Sequence, residues 1–213
     1  MKFPSTRRSV LAGLAVSVLA PASAIAQTAQ PAPAAAPRTV RLRGTIEFVS
    51  DSKLVLRERS GQRMELALAP TYTVTEVFPI ALTDIKPGSF VGVGGMPQPD
   101  GSQRAIAVLL FPEAMRGTGE GHYPFDFLPQ STMTNATVAE VGKIDNGQKL
   151  ELRYKGGAKT IVVPPDAPIV SLRPGDRAMV VAGAPVAVNV QEINGQPTVV
   201  RVNAGRNGFA PPY

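Results

Sequence analysis

Between residues 112 and 133 the sequence gathers Glu113, Arg116, Glu120, His122, Tyr123, Phe125 and Asp126 around Gly117, Gly119 and Gly121, with Pro124 leading into Phe125 and Asp126. His122 is the single histidine of the chain. One imidazole with two or more carboxylates is an N/O donor set suited to Zn²⁺, Mn²⁺, Ni²⁺ or Ca²⁺. Glu120, His122 and Asp126 are therefore the candidate metal ligands, and a divalent metal ion is the one cofactor the residues suggest. Their spacing, E-G-H-x(3)-D, matches no diagnostic metal motif. Two other readings stand beside this one. In the first the segment is a linker, with Phe125, Phe127 and Leu128 packed inward and Glu113 or Asp126 paired with Arg116. In the second, Glu113, Arg116, Tyr123 and Phe125 contact a ligand or a protein partner.

Catalysis finds little support in the residue types. The chain has no cysteine and no second histidine, which removes thiol chemistry, thiolate zinc sites, iron–sulfur clusters and HExxH chemistry. No G-x-S-x-G occurs, so His122 and Asp126 have no nucleophile elbow to serve. Gly92-Val93-Gly94-Gly95 precedes no helical pattern and reads as a strand and turn, not a phosphate loop. Without tryptophan and with only four tyrosines, no aromatic platform for a sugar is evident. No catalytic or cofactor-binding residue is assigned, and the expectation is a protein that is not an enzyme.

The elements around this segment follow from composition and period. With 20 glycines and 21 prolines among 213 residues, long helices are disfavoured and turns favoured. Residues 1–26 read as a secretory leader: Lys2, Arg7 and Arg8, an apolar stretch from Val10 to Ala20, then Ala24-Ile25-Ala26. Thr6-Arg7-Arg8-Ser9-Val10-Leu11 fits a twin-arginine leader, and an ordinary basic n-region is the alternative. The apolar stretch is too short to cross roughly 30 Å of hydrocarbon, and no membrane span is expected elsewhere. Localisation to the periplasm follows. Removing three positive charges with the leader lowers the formal net charge from +6 to +3. The remaining charges are interspersed, so nucleic acid is not an expected partner. Residues 27–38 form a Pro/Ala-rich spacer.

The rest reads as one unit used twice, 39–111 and 134–204, separated by 112–133 and followed by a tail, 205–213. Gly44-Thr45-Ile46 matches Ala136-Thr137-Val138, and Lys53-Leu54-Val55-Leu56-Arg57 matches Lys149-Leu150-Glu151-Leu152-Arg153. Leu68-Ala69-Pro70 matches Val163-Pro164-Pro165. Ile85-Lys86-Pro87-Gly88 with Phe90–Val93 aligns with Leu172-Arg173-Pro174-Gly175 and Ala178–Val181. Ala105-Ile106-Ala107-Val108 aligns with Val199-Val200-Arg201-Val202. Within each unit apolar residues alternate with polar ones, as in Leu42, Gly44, Ile46 and Phe48, which is the period of half-buried strands. Ser60-Gly61 and Gly156-Gly157 supply hairpin turns, and the Pro-Gly pairs further turns. About five strands per unit suit a small closed barrel, which hides its strand edges. The tail, rich in Gly and Pro, is read either as a frayed end or as a docking tail anchored by Phe209 and Tyr213.

This order of motifs resembles uncharacterised OB-like β-barrel domains of bacterial envelope proteins. The whole mature chain, without the leader, resembles exported alphaproteobacterial proteins with two such barrels in tandem. The most specific match is the inter-barrel stretch: Phe111–Gly117, Gly119–Asp126 and Ser131–Val138. Proteins of this kind often carry the automatic label "metal ABC transporter permease", although a permease needs several spanning helices and none is read here. The expectation is an all-β chain of two tandem OB-like barrels related by internal duplication. Its expected role is an exported binding or adaptor protein of the cell envelope with an envelope protein as partner. The alternative is metal binding or delivery through the inter-barrel segment.

Overall fold

The structure, a computed structural model, describes residues 38–213. The leader and the spacer up to residue 37 lie outside the described residues. The alternating segments become strands: β1 (Thr39–Val49), β2 (Lys53–Glu58), β3 (Arg63–Pro79), β4 (Phe90–Pro97), β5 (Gln103–Leu110) and β6 (Gly121–Pro124). They continue as β7 (Thr132–Ile144), β8 (Gly147–Tyr154), β9 (Gly157–Val163), β10 (Ile169–Pro174), β11 (Pro185–Ile193) and β12 (Gln196–Ala204). Among the described residues the only helical pieces are 3-10 turns at Leu82–Asp84, Glu113–Met115 and Arg177–Met179. The described chain is all-β, in keeping with a glycine and proline content that disfavours long helices. Gly61 and Gly156 turn the β2–β3 and β8–β9 hairpins at φ of 89° and 97°, a region open to glycine at no steric cost.

Pairing closes five strands into a barrel in the order β1-β2-β3-β12-β11, with β11 returning to β1. β3 and β12 are its one parallel pair. A second ring runs β7-β8-β9-β5-β4 and back to β7, closed by the short parallel contact of Gln103 and Arg104 with Ile161 and Val162. The two apolar cores follow the rings. One gathers Ile46, Leu54, Leu56 and Leu66 with Val188, Val199 and Val202. The other gathers Val91, Val93 and Val108 with Val138, Leu150, Leu152 and Ile161.

The boundaries expected from the sequence, 39–111 for one barrel and 134–204 for the other, are therefore not those of the rings. Each ring takes three strands from one half of the chain and its closing hairpin from the other. β3 is the cause. From Leu68 to Pro79 the chain has no glycine and many β-branched residues, so it stays extended past the barrel instead of turning back. At roughly 3.3 Å per residue that carries the next hairpin well away from β1 and β2. The far half of β3 pairs antiparallel with β10, from Thr75 opposite Pro174 to Pro79 opposite Val170. β10 also pairs parallel with β5, so one continuous sheet runs through both rings. Between them lies a third cluster, Val77, Leu109 and Val170 with Phe111, Leu172, Phe209 and Tyr213 against it.

One block of the sequence alignment also shifts. Ala178–Val181 is not a strand matching Phe90–Val93; its 3-10 turn leads to β11, which starts only at Pro185. The turn glycine equivalent to Gly88 (φ 88°) is Gly183 (φ 85°), not Gly175. Gly88 N–H donates to Val138 O at 2.8 Å, and Gly183 N–H donates to Ile46 O at 2.8 Å. Gly175 instead lies flat on β3, where a Cβ would meet Glu76 N at 2.8 Å.

Candidate functional site

The inter-barrel segment is held at many points. Its glycine-rich start folds into turns, and β6 then pairs antiparallel with β7, from Gly121 opposite Asn135 to Pro124 opposite Thr132. Asn135 Nδ2 donates to Thr118 O at 3.0 Å and to Tyr123 Oη at 3.3 Å. Ser131 Oγ lies 2.8 and 2.7 Å from the carbonyl oxygens of Phe125 and Leu128, its one proton shared between these acceptors, and closes the turn before β7. Phe127 lies on Gly94, where a Cβ would sit 2.4 Å from its ring, so the absence of a side chain there seats the aromatic group.

The three candidate metal ligands each serve a different contact. Glu120 Oε1 accepts from Lys155 N–H at 3.0 Å and fastens β6 to the β8–β9 turn. His122 Nδ1 is 2.8 Å from Thr134 Oγ1, and its ring stacks near Tyr154 at 6.4 Å. Burial, helped by Lys159, holds the imidazole below its ordinary pKa. Asp126 accepts from Arg43 Nη1 and Nη2 at 3.2 and 3.0 Å, with Arg41 at 3.9 Å. Burial raises its carboxyl, yet the hydrogen bond and charge of Arg43 and the charge of Arg41 outweigh it, leaving it below the usual aspartate range. Among the described residues no group of three or more His, Cys, Asp or Glu side chains is placed to hold one ion.

The contact residues divide as well. Glu113 pairs with Arg116, whose Nη2 donates to Glu113 Oε2 at 2.7 Å and to Gly88 O at 2.9 Å, so this pair braces the turn. Asp126, the other acid considered for Arg116, goes to Arg43. Tyr123 and Phe125 instead line a partly open cavity of about 240 Å³ between the first ring, the third cluster, the segment and Gly92, Met133 and Asn135 of the second ring. Its floor is apolar: Val77, Leu109 and Leu172. Its polar wall is Arg41, Asn189, Arg201 and Asn203, and no carboxylate lines it. The Arg41 guanidinium stands 5.1 Å from the Phe125 ring centre, a cation–π contact, and burial lowers its pKa. The tail closes one side. Tyr213 packs against Phe127 at 5.2 Å between ring centres, and its hydroxyl donates to Gly92 O at 2.9 Å. Burial drives that phenol's pKa far up. The tail is thus docked on its own chain and not frayed.

A larger, open hollow of about 450 Å³ lies between the Ala178–Pro185 and Gly205–Gly208 turns. Its lining is mainly small, and its one charged side chain, Arg206, is engaged with Glu76 at 3.0 Å. Chemistry converges at the smaller cavity.

Residue reasoning on the segment alone reached Tyr123 and Phe125 but missed the strand residues of the wall. Arg41 and Arg43 alternate with apolar residues, a pattern shared with any solvent-facing strand. The available signal was the difference between the two halves at matched positions, since Arg201 aligns with Ala107. No protein-family model, curated protein or solved structure matches this chain.

Proposed function

We propose that the chain is an exported, non-enzymatic binding or adaptor protein of the bacterial cell envelope, with the cavity between the two rings as its binding site. The observation that carries this reading is the convergence of two arginines, three amide side chains and an apolar floor on one partly open cavity that no carboxylate lines. Such a cavity, mostly apolar with a few polar groups, is the usual form of a small-ligand site. The strand order of each ring, closed by one parallel pair, agrees with the OB-like reading, and barrels of that kind serve widely as binding modules. Export rests on the leader residues Lys2, Arg7, Arg8 and Ala24-Ile25-Ala26. The non-enzymatic reading is supported by the nature of the wall, which offers guanidinium and amide groups but no nucleophile beside a base. His122 touches Thr134, whose side chain is buried and away from the cavity lining.

Native mass spectrometry of the protein exported by its host and purified without chelator tests this directly. The expected result is an adduct, or a copurified chain, that is lost on denaturation and reduced in Arg201→Gln. A metal adduct lost in His122→Ala would replace this reading with the metal-delivery alternative.

A further inference from the structure

The two rings share one pairing scheme, so side chains at matched positions can be compared directly. On the outer face of the first ring, Arg41 of β1 stands opposite Asn189 of β11, which stands opposite Arg201 of β12. The matching row of the second ring is Met133 of β7, Gly94 of β4 and Ala107 of β5. The next row is Arg43, Ala187 and Asn203 in the first ring, against Asn135, Gly92 and Leu109 in the second. Ring closure is therefore compatible with small and apolar residues at these positions. In the second ring Phe127 covers Gly94 and Phe111 packs on Gly92, and the side of the cavity formed there by Met133, Asn135, Gly92 and Leu109 carries no charge. In the first ring the row is basic and amide-rich and faces the cavity.

The charge there is only partly compensated. Arg43 takes the Asp126 carboxylate with both terminal nitrogens, leaving Arg41 at 3.9 Å from one oxygen. Among the described residues Arg201 forms no ion pair. Arg41 and Arg201 are two strand spacings apart, roughly 10 Å, within the combined reach of two guanidinium arms. A guanidinium offers a rigid fork of donors matched to a carboxylate. Below them lies the apolar floor of Val77, Leu109 and Leu172. The volume, about 240 Å³, is under the range of roughly 300–1,000 Å³ that holds drug-sized molecules.

We infer that the cavity takes a small organic acid, its carboxylate held by Arg41 and Arg201 and its apolar body laid on Val77, Leu109 and Leu172. This rests on the cavity being the binding site and adds the chemical class of the ligand. Asn189, between the two arginines, supplies an amide donor to the same oxygens. The apolar body distinguishes this ligand from an inorganic anion, and the carboxylate distinguishes it from a neutral aromatic.

Calorimetric titration of the full mature chain with 3-phenylpropionate, octanoate, 3-phenylpropionamide and acetate tests the inference. One of the two amphipathic acids binds saturably at one site. The amide binds at least about tenfold more weakly than its acid, the loss expected for a charge-assisted hydrogen bond, and acetate shows no saturable binding. Arg201→Gln and Arg41→Gln each weaken the acid roughly tenfold at unchanged melting temperature. Amide and acid binding alike, variants binding like the parent, or no binding of either acid would each overturn the inference. The outcomes separate it from the underlying reading. An adduct on the natively purified protein with no acid binding removes the ligand class alone, whereas a bare mass with no acid binding removes both.

Discussion

His122 illustrates how one side chain changes meaning between sequence and structure. As the single histidine among acids it suggests a metal ligand, yet it bonds Thr134 and is partly buried beside Tyr154 and Lys159, which favours the neutral ring. Its folded pKa lies below the unfolded value of 6.5, so the unfolded chain binds the proton more readily. The stability from this group is present above that value and is lost as pH falls through the folded pKa. The melting temperature of the parent is therefore expected to fall between pH 7 and pH 5 more than that of His122→Asn. Each kcal/mol corresponds to about 2–4 °C for a chain of this size. Parallel curves for the two proteins would show that His122 contributes nothing to this dependence. At the same scale, Tyr123 and Phe125 were legible because they sit in the one segment that neither repeat explains. Arg41, Asn189 and Arg201 were not, because they lie on three strands that only the sheet brings together.

At the scale of elements, β3 and β10 decide how the two rings are joined, and Glu76 is their fastening. Its side chain is 2% exposed, with Arg173 of β10 at 2.5 Å and Arg206 of the tail at 3.0 Å. The hydrogen bond from Arg173, then that from Arg206, holds its carboxyl below the ordinary glutamate range. Both guanidiniums are about half exposed, so solvent moderates the pairing. Glu76→Ala is expected to lower unfolding free energy by about 1–3 kcal/mol, the cost of stranding partners around a buried site, as read by urea denaturation. Glu76→Gln, which keeps the shape and some hydrogen bonding, should lose less. Equal stability of Glu76→Ala and parent would mean that the apolar cluster of Val77, Val170 and Leu172 secures the junction unaided. The strands themselves were readable from alternation and turn glycines. The joining of β3 to β10 was not, because an extended stretch after Pro70 looks the same whether it ends one barrel or bridges to the next.

For the whole molecule, the first ring is split between β1–β3 and β11–β12, and the second ring, β4–β9, is one contiguous stretch inserted between them. Residues 39–111 supply β1–β3 to one ring and β4–β5 to the other, so the first core is built from both ends of the described chain and the second from its middle. Thermal unfolding of the full chain is expected as a single transition by calorimetry and circular dichroism alike. A fragment spanning 39–111 should lack the dispersed amide spectrum of a folded monomer. A folded monomeric 39–111 fragment would contradict this division of strands, and two separate transitions in the full chain would mean that the inserted ring unfolds independently of the first. The charge contrast between the rings belongs to this scale too. It is visible only when Arg41, Asn189 and Arg201 are set against Met133, Gly94 and Ala107 across the junction.

The sequence by itself determined the all-β class, the strand positions and the hairpin turns, because these depend on neighbours a few residues apart: a period of two, a glycine at positive φ, a proline ending a strand. It also marked residues 112–133 as the segment that the barrels leave unexplained. Only the tertiary structure decided which hairpin closes which ring, which partner each of Glu120, His122 and Asp126 takes, and that Arg41 and Arg201 share a wall. Those outcomes depend on where β3 carries the chain after Leu68. The geometry of strands far apart in sequence sets that path, and no local pattern of residues records it.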